Sequence, residues 1–120
     1  MPKLKWEIPI RTVSELNCQE HWTKKHRRHR QQKFFVWKAL KKDIDKVKLP
    51  CKVKVTRLSD RQLDFDNLVC CFKWIVDAIC DLISPGLMPG MADADQRIKI
   101  DYAQEKQRKI GIRIEIEYGE

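Results

Sequence analysis

Two aspartates one residue apart, Asp64 and Asp66 in "QLDFDNL", have the types and spacing to do chemistry. A second pair, Asp93 and Asp95, follows in "GMADADQRI". Carboxylate oxygens are hard ligands. Mg²⁺ takes such ligands at ~2.0–2.1 Å and uses one or two carboxylates, keeping waters for a substrate phosphate. In an extended segment, positions i and i+2 leave the same face. The spacing therefore predicts Asp64 and Asp66 side by side, with Phe65 turned away. Two charges so close are tolerable in solvent, or useful around Mg²⁺ or Mn²⁺. The structural alternative is a helix cap, for which Asp66 or Asn67 is placed. The loop pair Asp93 and Asp95 adds ligands if the fold brings it to the first pair.

These acids stand in a basic chain. The 120 residues carry a net charge of +8. Residues 1–57 hold 17 Lys/Arg against 5 Asp/Glu, and residues 58–120 hold 8 against 12. The two halves are thus +12 and −4. A basic half suits a polyanion partner. A short-armed acidic cluster suits a divalent cation. Nucleic acid plus a metal is the class these features share.

The length fits one domain, 1–120, with a modest core. No apolar run approaches the ~20 residues that cross a bilayer, and the first residues lack a secretory core. Five cysteines (Cys18, Cys51, Cys70, Cys71, Cys80) have no framework spacing. They read as free thiols of a cytoplasmic protein.

The elements that must position the acids follow from periodicity. Residues 4–10 read as a strand. Residues 16–48 read as a long helix, with Asn17 as cap and Glu20 its capping-box partner. Trp37, Leu40, Ile44 and Val47 form its apolar face. Traced backward, that stripe runs through Lys33, His29, His26 and Trp22, and is only partly covered. Residues 51–58 alternate Val53 and Val55 with lysines, a half-buried strand. Residues 67–83 read as a second helix, with Leu68, Phe72, Ile75, Ile79 and Leu82 inward. Residues 84–95 form a Pro/Gly loop. Strands around Ile98–Tyr102 and Ile110–Tyr118 close the chain as a hairpin through "AQEKQRK". The β-α-β-α-β-β order predicts an α+β fold, its helices packed on a small mixed sheet.

On one continuous helix, the positions 4, 7 and 11 after Asp66 share its face. These are Cys70, Lys73 and Asp77. Lys73 would reach toward a phosphate, or pair with Asp77. "KKHRRHRQQK" offers Lys24, Lys25, Arg27, Arg28, Arg30 and Lys33 for phosphate contacts. A solvated helix face is the bland reading, but like charges at helical spacing cost stability. Cys18, His21, His26 and His29 do not make a zinc site on one helix, which spreads them too far for tetrahedral ligation. Cys70 and Cys71 face two sides of a helix and read as packing.

"LDFDNL", then "FKWIVDAI", a Gly-rich loop, "DADQRIKIDYAQEK" and a final "IRIEIEY" strand together resemble the RusA-like endodeoxyribonucleases. These are crossover-junction (Holliday junction) resolvases, frequent in phages and prophages. The opening "PIRTVSELNCQEHWTKKHRRHRQQ" also resembles that family's strand, asparagine and basic helix. The resemblance covers nearly the whole chain. It implies a small Mg²⁺-dependent homodimer that cuts four-way DNA junctions by paired nicks, in recombination and repair. It implies essential aspartates at Asp64, Asp66 and Asp93, with Asp95 accessory. Lys73 stands where phage-type members carry a lysine, and other members have it where this chain has Cys70. Lys106 resembles a family lysine at the end of its strand and would catalyse or contact DNA. Ala92 stands where members often have a further acid. Phe34 and Phe35 read as core, the alternative being a wedge into a junction centre. The rival functions are a non-catalytic branched-DNA-binding module, which Ala92 favours, and an RNase-type domain.

Overall fold

A computed structural model describes residues 2–14, 21–84 and 97–119. These described residues form four strands: β1 (Lys3–Ile8), β2 (Cys51–Ser59), β3 (Ile98–Lys106) and β4 (Gly111–Tyr118). The helices are α1 (Trp22–Leu40), α2 (Phe65–Cys71) and α3 (Lys73–Ile83), with a 3₁₀ turn at Ile44–Lys46. The α+β class and the β-α-β-α-β-β order hold.

The sheet order is β1-β4-β2-β3. β4 runs antiparallel to both β1 and β2, while β2 and β3 are parallel. Directly paired residues share a face. One face therefore carries Ile8, Val53, Val55, Ile112, Ile114 and Ile116, all buried. The three helices cover that face, α1 packing on α3 and β1, and α2 on β3 and α3. The opposite face holds alternating charges. Lys3 pairs with Glu115 at 2.6 Å and Lys52 with Asp101 at 3.1 Å. Arg113 reaches Glu7 at 3.1 Å and Glu105 at 2.8 Å. These surface pairs, each open to solvent on at least one side, contribute little energy singly, but they match the strand order.

Three expectations are corrected. β3 and β4 do not form a hairpin. Residues 107–110 cross the end of β2, and Gln107 N–H closes on Ser59 O at 2.8 Å. The turn is hairpin-sized, but the extended, largely buried β2 takes the place between them. At Gly111 the chain passes so close to β1 that an added Cβ would lie 2.9 Å from Ile8 O.

The first long helix is shorter than 16–48. It begins at Trp22, with His21 as N-cap accepting Thr23 N–H at 3.3 Å. Asn17 and Glu20 lie outside the described residues. Beyond Leu40 the backbone tightens into the 3₁₀ turn, which buries Ile44. The inward stripe is Gln32, Val36 and Leu40. That register turns Trp37 outward, where Lys41 Nζ sits 4.3 Å from its ring centroid. It also turns out Phe34 and Phe35, 54% and 46% exposed, so neither is a core residue.

The second helix is two. Phe72 (φ −98°, ψ −3°) ends α2 and caps α3, its N–H shared by Val69 O and Cys70 O. The joint keeps Leu68, Phe72, Ile75 and Ile79 in the core on both sides of the break.

Candidate metal and nucleic-acid site

The acidic segment is held by its neighbours on both sides. Asp64 is the N-cap of α2 (φ −67°, ψ 168°). Its Oδ1 accepts Asn67 N–H at 3.0 Å and Asn67 Nδ2 at 2.7 Å. The cap is thus Asp64, not Asp66 or Asn67. Capping makes Phe65 the first helical residue, so the segment is not extended through Asp66. Asp66 lies in the first turn of α2 and is exposed. The pair therefore flanks a helix start rather than sharing a strand face. Phe65 is 65% exposed, edge-on to Tyr102.

Asn67 is tied further: Ser14 Oγ donates to its Oδ1. Gln104 of β3 clamps the preceding residue, its Oε1 taking Leu63 N–H at 2.9 Å and its Nε2 donating to Leu63 O at 2.7 Å. Arg57 of β2 donates to Arg61 O at 2.5 Å and to Thr12 Oγ1 at 3.1 Å. Three side chains from the β1 exit, β2 and β3 thus fix the approach to the acids. Gln104→Leu leaves Leu63 N–H and O without these partners. It is expected to lower stability by about 1–2 kcal/mol and to speed amide exchange over 61–66, read by urea denaturation and hydrogen exchange. Unchanged exchange there would show that the clamp does not hold the segment.

The two Asn67 donors, the backbone N–H first, hold the Asp64 carboxyl below the usual carboxylate range. The cap is therefore intact above the ordinary value and is lost as the pH falls through the depressed native one. Burial pushes the Cys71 thiol up to about 11, against opposing pulls from Thr12 and Arg57. Cys71 is a neutral thiol at pH 7, donating to Leu68 O at 3.0 Å. Cys51, Cys70, Cys71 and Cys80 are not joined in disulfides.

The other expected residues divide into three groups. Asp93, Asp95 and Ala92 lie outside the described residues. Among the described residues no group of three or more His, Cys, Asp or Glu side chains gathers. Lys106 ends β3, paired with Ser59 and two register positions past the Gln104 clamp. Placing Lys73 with Asp66 assumed one continuous helix, and the break at Phe72 removes that premise. Lys73 Nζ instead lies 5.4 Å from the Trp74 centroid.

The basic stretch splits around α1. Lys24, Arg27 and Arg28 line a groove of about 470 Å³ with Arg11 and Phe35. Lys25, Arg30 and Lys33 line another of about 320 Å³ with Trp74. The sequence reading missed Gln104, Ser14, Arg11 and Trp74. Of these only Arg11 carried a signal, a cation beside the strand exit.

Family models, curated proteins and solved structures give no match to this chain. No described helix is long and apolar enough to cross a membrane.

Proposed function

We propose that the chain is a metal-dependent, structure-selective DNA endonuclease that resolves four-way junctions by paired nicks, acting as a homodimer. The observation that carries this reading is the Asp64–Asp66 helix start. Two exposed carboxylates stand on a segment whose neighbours Arg61, Leu63 and Asn67 are tied to Arg57, Gln104 and Ser14, in a chain of net charge +8. Exposed side chains at a rigidly held position suit a ligand better than packing.

The donors fit a hard divalent cation. They are oxygen-only, Asp64 Oδ2 is not used by the cap, and the Asn67 bonds keep Asp64 ionised at neutral pH. Asp64 and Asp66 would hold Mg²⁺ or Mn²⁺, with Asp93 and Asp95 as further ligands. Such an ion supplies Lewis-acid charge and an acidified water for phosphodiester hydrolysis. The chain's own cations bind the phosphates: Lys24, Lys25, Arg27, Arg28, Arg30 and Lys33 from α1, with Lys73 at the start of α3 and Lys106 at the end of β3. A two-fold dimer presents two such sites to opposed junction strands. Free thiols suit a cytoplasmic setting, in a bacterial or phage-infected cell.

The test is a nicking assay. A labelled four-way junction and a matched duplex are incubated with Mg²⁺, Mn²⁺ or EDTA. Paired, metal-dependent nicks confined to the junction are expected. A second reading has its own observation: Asp64 Oδ1 is committed to the cap, as a purely structural aspartate would be. In that reading the chain binds branched DNA without chemistry. Tight junction binding with no cut under either metal would select it and reject the nuclease.

A further inference from the structure

One stripe of α1 is not explained by phosphate binding alone. Trp22, His26, His29 and Lys33 recur at helical spacing and meet Trp74 of α3 across the second groove. His29 stacks on Trp74, with centroids 4.1 Å apart and planes at 25°. Lys33 and Lys73 each place Nζ 5.4 Å from the Trp74 centroid. Trp22 is 66% exposed, with His26 edge-on at 5.9 Å. Lys25 and Arg30 complete the walls, and no carboxylate lines the groove among the described residues.

Packing accounts for Trp74, which is half-covered, but not for Trp22. An indole left mostly in water forgoes a large burial gain. Here it stands among cations. Aromatic faces beside a one-signed basic wall are what a single nucleic-acid strand requires, since bases stack and phosphates pair. Paired duplex bases hide their faces and gain nothing from such a platform.

We propose that this groove binds an unpaired base of a DNA strand, with Trp22 as the stacking platform and Lys25, Arg30 and Lys33 holding the flanking phosphates. Trp74, with one face taken by His29, forms the floor. The inference rests on the nuclease reading only for the identity of the strand as DNA. Stacking needs no metal. At a branched substrate the groove favours an opened strand near the branch over an intact arm.

The experiment is fluorescence anisotropy in EDTA at fixed low salt. The probes are a labelled oligothymidylate of about ten nucleotides, within the usual site size, and a strand of equal length carrying abasic sugars. The phosphates are the same, so only base contacts differ. Wild type is expected to prefer the thymidylate by about tenfold. Trp22→Ala should erase that preference and leave abasic binding unchanged; its exposure makes unfolding no explanation, and circular dichroism checks this. Lys33→Gln should weaken both probes alike and lower the salt slope by about one. Equal binding of the two probes by wild type, or a preference that survives Trp22→Ala, overturns the proposal. Because EDTA is present, failure to nick a junction leaves this result standing, and nicking without a base preference removes the groove alone.

Discussion

Asp66→Asn is expected to leave junction binding intact or tighter while slowing strand cleavage by about a hundredfold or more. The size follows from the proposed role: Asp66 would hold an ion that supplies several kcal/mol of transition-state charge stabilisation when bound. The fold should not suffer. Asp64 does the capping, and Asp66 is exposed in the first turn. Asparagine keeps the shape and loses only the charge, and that loss also removes repulsion from DNA. Asp64→Asn makes a matched companion, since asparagine caps about as well as aspartate. Asp64→Ala, which loses the cap as well, should also melt at a lower temperature. The measurement is single-turnover cleavage alongside junction binding by gel shift. Wild-type cleavage by Asp66→Asn would remove Asp66 from the metal site.

Phe72→Ala has the largest expected effect on stability, a loss of about 3–5 kcal/mol. Typical domains have only ~5–15 kcal/mol in total, so this variant approaches unfolding. Phe72 is fully buried where α2 meets α3, its ring 6.3 Å from Tyr102 of β3. It is also the residue whose backbone turns the helix. Truncation opens a cavity at the joint that sets α2, and with it the acids, against the sheet. Phe72→Leu keeps most of the volume and should lose much less. Urea midpoints for the two variants check this. Equal, small losses would show that the joint does not depend on the ring.

Local pattern carried much of this fold. Ile112, Ile114 and Ile116 alternate and are buried in β4, and Leu68, Phe72, Ile75 and Ile79 line the helical core. What local pattern does not carry is partnership. β3 and β4 look like a hairpin until β2 is set between them, and that is a contest over long range. A charge signal was present: Glu115 and Glu117 of β4 lie opposite Lys5 and Lys3 of β1, and opposite Lys54 and Lys52 of β2. The acids were legible as a candidate site, but their geometry was not. An aspartate before a helix satisfies both an extended pattern and a cap, and Asn67 decides for the cap. Gln104 and Ser14 act through contacts 41 and 53 residues away in sequence, beyond any spacing rule.

The strand order also bears on how the chain emerges from the ribosome. Among the described residues β1 pairs with β4 alone, joining Ile8 to Ile112. β2 likewise stands between β4 and β3, both made after it. During translation, the hydrophobic strands β1 and β2 must therefore wait for partners not yet synthesised. Such non-local pairing slows folding and prolongs exposure of open strand edges. Until β4 arrives, the lysines on β1 and β2 keep those nascent edges from joining one another or a neighbouring chain. In this protein the alternating Lys3, Lys5, Lys52 and Lys54 guard the unfinished sheet as well as ordering the finished one.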